Sequence, residues 1–215
     1  MDASVAQSLA RSAEMEPERR LFTFLEDGER ESGSLGTLEL HRRSRLVASW
    51  LGRLGATGER VALVFPAGLG FVPALCGVLG AGAVAVPAPP PSPSRLARTL
   101  PRLASIVEDA RPAAILTTRE IAAHAPEWTR SAPSLGRCRW LSLEDAPEDD
   151  DPAPFAVVSP SSPAVLQYTS GSTAAPKGVV ITHANLHALS KILAEAKRYR
   201  PESVAVHWVP NHHDD

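Results

Sequence analysis

The sequence predicts an α/β protein, a mostly parallel sheet layered with flanking helices, on three observations. Short apolar runs of strand length alternate along the chain with segments that carry a helical stripe. Residues 61–94 hold no charged side chain, yet Pro66, Pro73 and Pro87 cut the run into strand, helix and strand. A glycine- and hydroxyl-rich loop later sits between two further apolar, strand-like segments. Alternation of this kind buries each strand on both faces, which is the condition for parallel pairing.

The elements follow in order. Residues 1–20 are polar and are expected to form a flexible, frayed terminus. A helix is expected near 38–54, where Val47, Trp50, Leu51 and Leu54 recur at i, i+3, i+4 and i+7 and Gly55 supplies the stop. The uncharged run then gives a strand at 61–65, a helix at about 69–81 and a strand at 84–86. Its length would span a bilayer, but its prolines and glycines favour a buried β-α-β unit over a transmembrane helix. Residues 88–94, with four prolines, form an extended turn. The next helix places Leu96, Leu100, Leu103 and Val107 on one face, with Pro101 kinking or restarting it. A short strand at 113–117 follows, then an acidic, proline-rich loop at about 144–163, whose charge run reads as a solvated connection. Beyond the hydroxyl-rich loop, a helix at 185–199 is expected to turn Leu186, Leu189, Leu193 and Ala196 inward, and 204–209 reads as a strand. No internal repeat is present.

Composition narrows the function classes. A net charge of −2 over 215 residues gives no electrostatic case for nucleic acid or for an anionic membrane. Cys76 and Cys138 are isolated, without the spacing of a disulfide framework or a zinc site, so a reducing cytoplasm is the expected compartment. The first residues lack the basic and apolar regions of a secretory signal.

The hydroxyl-rich loop carries the chemistry. Thr169, Ser170, Ser172 and Thr173 offer hydroxyl donors, Gly171 permits backbone close to a ligand, and Lys177 adds a mobile positive charge. Composition alone leaves two readings open, a phosphate cradle and a polar hairpin turn. A Walker A loop is excluded, since Lys177 is followed by Gly178 and a β-branched run and not by Ser or Thr opening a helix. A serine hydrolase is disfavoured by the lack of Gly-x-Ser-x-Gly on a strand-to-helix elbow. His212, His213, Asp214 and Asp215 invite a metal reading, but adjacent residues of an extended segment point to opposite faces, so no metal site is assigned. His183 reads as a structural histidine more readily than as an acid or base.

The stretch from Tyr168 to Val179, Tyr-Thr-Ser-Gly-Ser-Thr-Ala-Ala-Pro-Lys-Gly-Val, resembles the phosphate-binding signature of the adenylate-forming superfamily. Three further segments agree in order and spacing: Gly36 to Leu40, Leu79 to Pro87, and Trp208 to Asp215, the last resembling the Trp-Leu-Pro-x-x-His-Asp segment of the fatty acyl-AMP ligase branch. The resemblance implies a partial AMP-binding domain over 21–215, the N-terminal portion of the large domain of such an enzyme. It implies attack of a fatty acid or other carboxylate on the α-phosphorus of ATP, giving acyl-adenylate and pyrophosphate with Mg2+ as the counter-charge. It further implies phosphate binding by Thr169, Ser170, Gly171, Ser172, Thr173 and Lys177, a catalytic position for His213 beside the reacting groups, and an acyl carrier protein as a candidate acceptor. Ala174 departs from the glycine usual in the family. An acyl-CoA synthetase or a peptide-synthetase adenylation domain is the alternative within the superfamily. The family's magnesium-binding glutamate, ribose-binding aspartate and small C-terminal domain with its lysine match nothing in these 215 residues. A catalytically inactive nucleotide-binding or interaction fragment is therefore the alternative of another class. A sheet cut after half its strands is also expected to aggregate or to need a partner.

Overall fold

A computed structural model of the chain describes residues 4–149, 151–169 and 177–209. The expectation of a frayed amino terminus is corrected by α1, Val5–Met15. The Ser4 hydroxyl accepts a hydrogen bond from the Gln7 amide and caps the helix, while Ala6, Leu9 and Ala13 are buried. A polar composition hid an apolar stripe of small side chains wide enough to dock the helix.

A hairpin that the sequence reading did not anticipate comes next. β1, Arg20–Leu25, pairs antiparallel with β2, Glu31–Gly36, forming a separate two-stranded sheet. The Asp27 carboxylate closes its turn by accepting from the amides of Arg30 and Glu29, which holds that carboxyl below the usual range.

The predicted helix is α2, Thr37–Arg53, with Leu40, Val47, Ala48 and Leu51 buried and Gly55 beyond its end at φ +76°. The uncharged run resolves as expected into β3, Arg60–Val64, α3, Phe71–Gly80, and β4, Val84–Ala88. No helix among the described residues is long and apolar enough to cross a membrane. After the proline-rich turn, α4, Leu96–Ala110, runs as one helix with Pro101 inside it, burying Leu100, Leu103, Ile106 and Val107. Then follow β5, Ala114–Thr117, two short helices, α5, Arg119–Ala122, and α6, Ala125–Ser131, and β6, Arg139–Ser142.

The acidic loop holds a single 3-10 turn at Leu143–Asp145 and otherwise little regular structure, but arginines pin it to the body. Arg119 pairs with Asp145 at 2.6 Å and Arg53 with Asp149 at 3.2 Å, while Arg45 donates to the Pro152 carbonyl. The chain returns to the sheet as β7, Pro163–Thr169, followed by β8, Lys177–Thr182, and α7, His183–Ala196.

The six-stranded sheet has the order β6-β5-β3-β4-β7-β8. The first five strands of that order are mutually parallel, and only β8 runs antiparallel. One face, with Val61, Leu63 and Ala85, packs under α2 and α3; the other, with Ala62, Val64, Val86 and Ile115, packs under α4 and Trp128. Two apolar faces explain why β3 and β5 read as continuous hydrophobic runs.

Two expectations fail at the carboxy-terminal end. Leu189 and Leu193, expected inward on α7, are exposed, as is Ile192; only His183 of this helix is buried. Residues 204–209 form no strand, and Val204, Val206 and Trp208 stand 86%, 74% and 88% exposed. Alternating β-branched residues favour a strand only where a neighbouring strand offers a ladder, and no described strand lies alongside this segment.

Candidate functional site

The site is built at the turn between β7 and β8. β7 lies parallel to β4 through Ala85 and Val165, so its last residue emerges at the same edge as the carboxyl ends of β3, β4 and β5. In open α/β sheets that edge is where ligands bind. Thr169 ends β7 and pairs directly with Lys177, the first residue of β8. The antiparallel register therefore sets a hydroxyl and an ammonium side by side at the mouth of the turn. Lys177 is exposed, and none of the ion pairs among the described residues involves it. Of the residues expected to hold phosphate, Thr169 and Lys177 are thus brought together; Ser170, Gly171, Ser172, Thr173 and the departure at Ala174 lie outside the described residues, as does His213.

Below the mouth, the two strands fit through a missing side chain. Tyr168 pairs with Gly178, and a Cβ on Gly178 would lie 2.9 Å from Leu166 Cδ1 and 3.1 Å from Tyr168 Cζ. A larger residue after the lysine would have to push the ends of these two side chains aside. Tyr168 is buried against the face that packs under α4, and its hydroxyl donates to the Asp109 carboxylate. Burial and that neighbouring negative charge both push the phenol well above its ordinary range, so it is a neutral donor. Sequence reasoning missed Asp109 and Tyr168 as a pair.

On the outgoing side, Thr182, Ala184 and Asn185 show why the chain leaves β8 as a helix. The Thr182 hydroxyl accepts from the Asn185 amide at 3.1 Å, and Asn185 Oδ1 accepts from the Thr182 amide at 3.0 Å, a capping box with asparagine in the third position. The expected structural histidine, His183, lies between them at 2% exposure, with no partner for Nδ1 among the described residues. Burial lowers its basicity, so it is held neutral. No cluster of three or more metal-ligating side chains occurs among the described residues.

Comparisons with known proteins bear on the family and the fold. The chain is 41% identical over 198 residues to the medium-chain-fatty-acid–[acyl-carrier-protein] ligase JamA of Moorena producens, covering 91% of this chain and 33% of that relative. It is 34% identical over 228 residues to the 4-hydroxyphenylalkanoate adenylyltransferase of Mycobacterium marinum, covering 99% of this chain and 35% of that relative. The fatty acyl-adenylate ligase of L. pneumophila, solved with acyl adenylate and pyrophosphate, superposes with a TM-score of 0.87 at 28% identity, covering all of this chain and 36% of that one. The chain thus spans about a third of the length of the relatives it matches. The AMP-binding enzyme family model matches residues 9–214, and the chain belongs to that family.

Proposed function

We propose that the chain carries the ATP-phosphate grip of a fatty acyl-AMP ligase, an enzyme that joins a fatty acid carboxylate to AMP and releases pyrophosphate. The observation that carries this reading is the direct pairing of Thr169 with the exposed Lys177 at the carboxyl edge of the parallel sheet, in a member of the AMP-binding family. An exposed ammonium opposite a hydroxyl suits the terminal phosphates of a nucleotide, holding them by charge and by a directed hydrogen bond. Ser170, Gly171, Ser172 and Thr173 extend the grip by the family resemblance, and His213 is assigned beside the reacting carboxylate on the same ground.

The described residues fit ATP at this mouth. Mg2+ would neutralise phosphate charge there, by the family resemblance. Lys177 then orients the triphosphate, and Thr169 fixes one oxygen. Such a transfer is governed by alignment and charge balance, which a rigid strand pair supplies.

An acyl carrier protein is the proposed acceptor, supported by the name of the relative at 41% identity. The free thiols of Cys76 and Cys138 support a reducing, cytoplasmic setting; burial pushes the Cys76 thiol up to about 11, which keeps it protonated and inert.

The span of about a third of the relatives favours a second reading, in which this chain alone binds nucleotide and does not turn over. Carboxylate-dependent ATP–pyrophosphate exchange separates the two. On the ligase reading, the chain joined to the downstream two thirds of a relative exchanges label, and Lys177→Ala lowers the rate at least about a hundredfold. Exchange by neither the joined protein nor the chain would overturn the ligase assignment.

A further inference from the structure

We propose that Asp109 and Tyr168 form a latch that fixes Thr169 and Lys177 in place, so that Asp109, on a distant helix, is a positioning residue for the nucleotide phosphates. This rests on the phosphate-grip reading.

Three features point to the latch. First, Tyr168 precedes Thr169 and pairs with Gly178, which follows Lys177, so one aromatic ring underlies both sides of the mouth. The ring lies against the bare backbone of Gly178, in a space that any Cβ would enter. An aromatic side chain covering a cross-strand glycine joins two strands that the glycine alone would leave loosely paired.

Second, the far end of that ring is tied down. Its hydroxyl donates to Asp109, 59 residues earlier in the chain, on the helix that packs beneath β4. Among the described residues β8 is an edge strand that pairs with β7 alone, so this bond ties the mouth to the exposed end of α4, a helix packed against the sheet through Leu103, Ile106 and Val107.

Third, Asp109 sits where a helix gains nothing from it. It is the penultimate residue of α4, next to Ala110, where a negative charge opposes the helix dipole. Its carboxylate serves the tyrosine and not the helix.

Hydrogen exchange and nucleotide titration of the full 215-residue chain test the latch. Tyr168→Phe and Asp109→Ala should each speed exchange of the β8 amides, 177–181, by about tenfold, the size of a lost hydrogen bond to a charged group. Amides of β3 and β5 should keep their protection. The same variants should weaken Mg-ATP by about tenfold and leave adenosine unaffected, because only the phosphates meet the mouth. Asp109→Asn, which keeps an acceptor, should recover most of what Asp109→Ala loses. Unchanged exchange at 177–181 would overturn the latch, as would an equal rise throughout β3, β5 and β8. If the wild type takes up no Mg-ATP while local exchange still rises, the tie stands and the nucleotide reading falls.

Discussion

The central parallel strands and the carboxy-terminal part of the molecule use apolar residues differently. Around β3, β4 and β5 every large apolar side chain meets a partner: Leu63, Leu116 and Ile115 are fully buried between helices on both faces. From β8 onward the same residue types stand in the open, with Val180, Ile192 and Leu193 exposed and Trp208 almost entirely so. The proposed phosphate mouth lies at the seam, tied on one side to α4 through the Tyr168–Asp109 hydrogen bond. On the proposed latch, the closed region steadies the edge where a ligand would be held.

The strongest way to break this contrast is a matched pair of truncations. Leu63→Ala opens a cavity in the closed region and should cost about 3 kcal/mol in denaturant unfolding. Leu193→Ala removes the same atoms from α7 and should stay within about 0.5 kcal/mol while lowering self-association, since exposed apolar patches drive association. Similar losses at both sites would show that α7 is packed.

A smaller effect concerns pH at the seam. His183 is buried and its basicity is lowered, so the unfolded chain binds a proton there that the folded chain refuses. Its contribution is fully present above the unfolded value of 6.5 and is lost as pH falls through that value toward the folded one. His41, also lowered by burial, acts in the same sense. Unfolding midpoints should therefore fall between about pH 7.5 and pH 5.5, with a shallower slope in His183→Asn. A slope unchanged by that substitution would remove His183 from the account.

How much was legible in the sequence follows the same division. β3, α3 and β4 were readable because a buried parallel strand has no polar face, so charge vanishes from the sequence and prolines mark the joints. α2 and α4 were readable from their stripes. The β1–β2 hairpin was missed because β2 carries Glu31, Ser32, Gly33 and Ser34 before its one buried leucine, and β6 because Arg139 and Ser142 leave only Trp140 and Leu141 as an apolar run. The leucines of α7 and the valines at 204 and 206 misled, since their pattern reports a preference for burial that the neighbouring described elements do not satisfy.

At the candidate site, Thr169 and Lys177 were singled out by the resemblance of the stretch from Tyr168 to Val179 to a phosphate-binding signature, since composition alone left a polar hairpin turn equally open. Asp109 was not: its proposed role depends on a register that places Tyr168 opposite Gly178, and on the packing of α4 against the sheet. Neither leaves a local trace in sequence.

The most direct test of the phosphate grip is calorimetric titration of the chain with Mg-ATP, compared with Lys177→Ala. The grip predicts saturable one-to-one binding that weakens at least about tenfold on loss of the charge, while adenosine binding stays the same. Absence of Mg-ATP binding, or binding indifferent to Lys177, would contradict it.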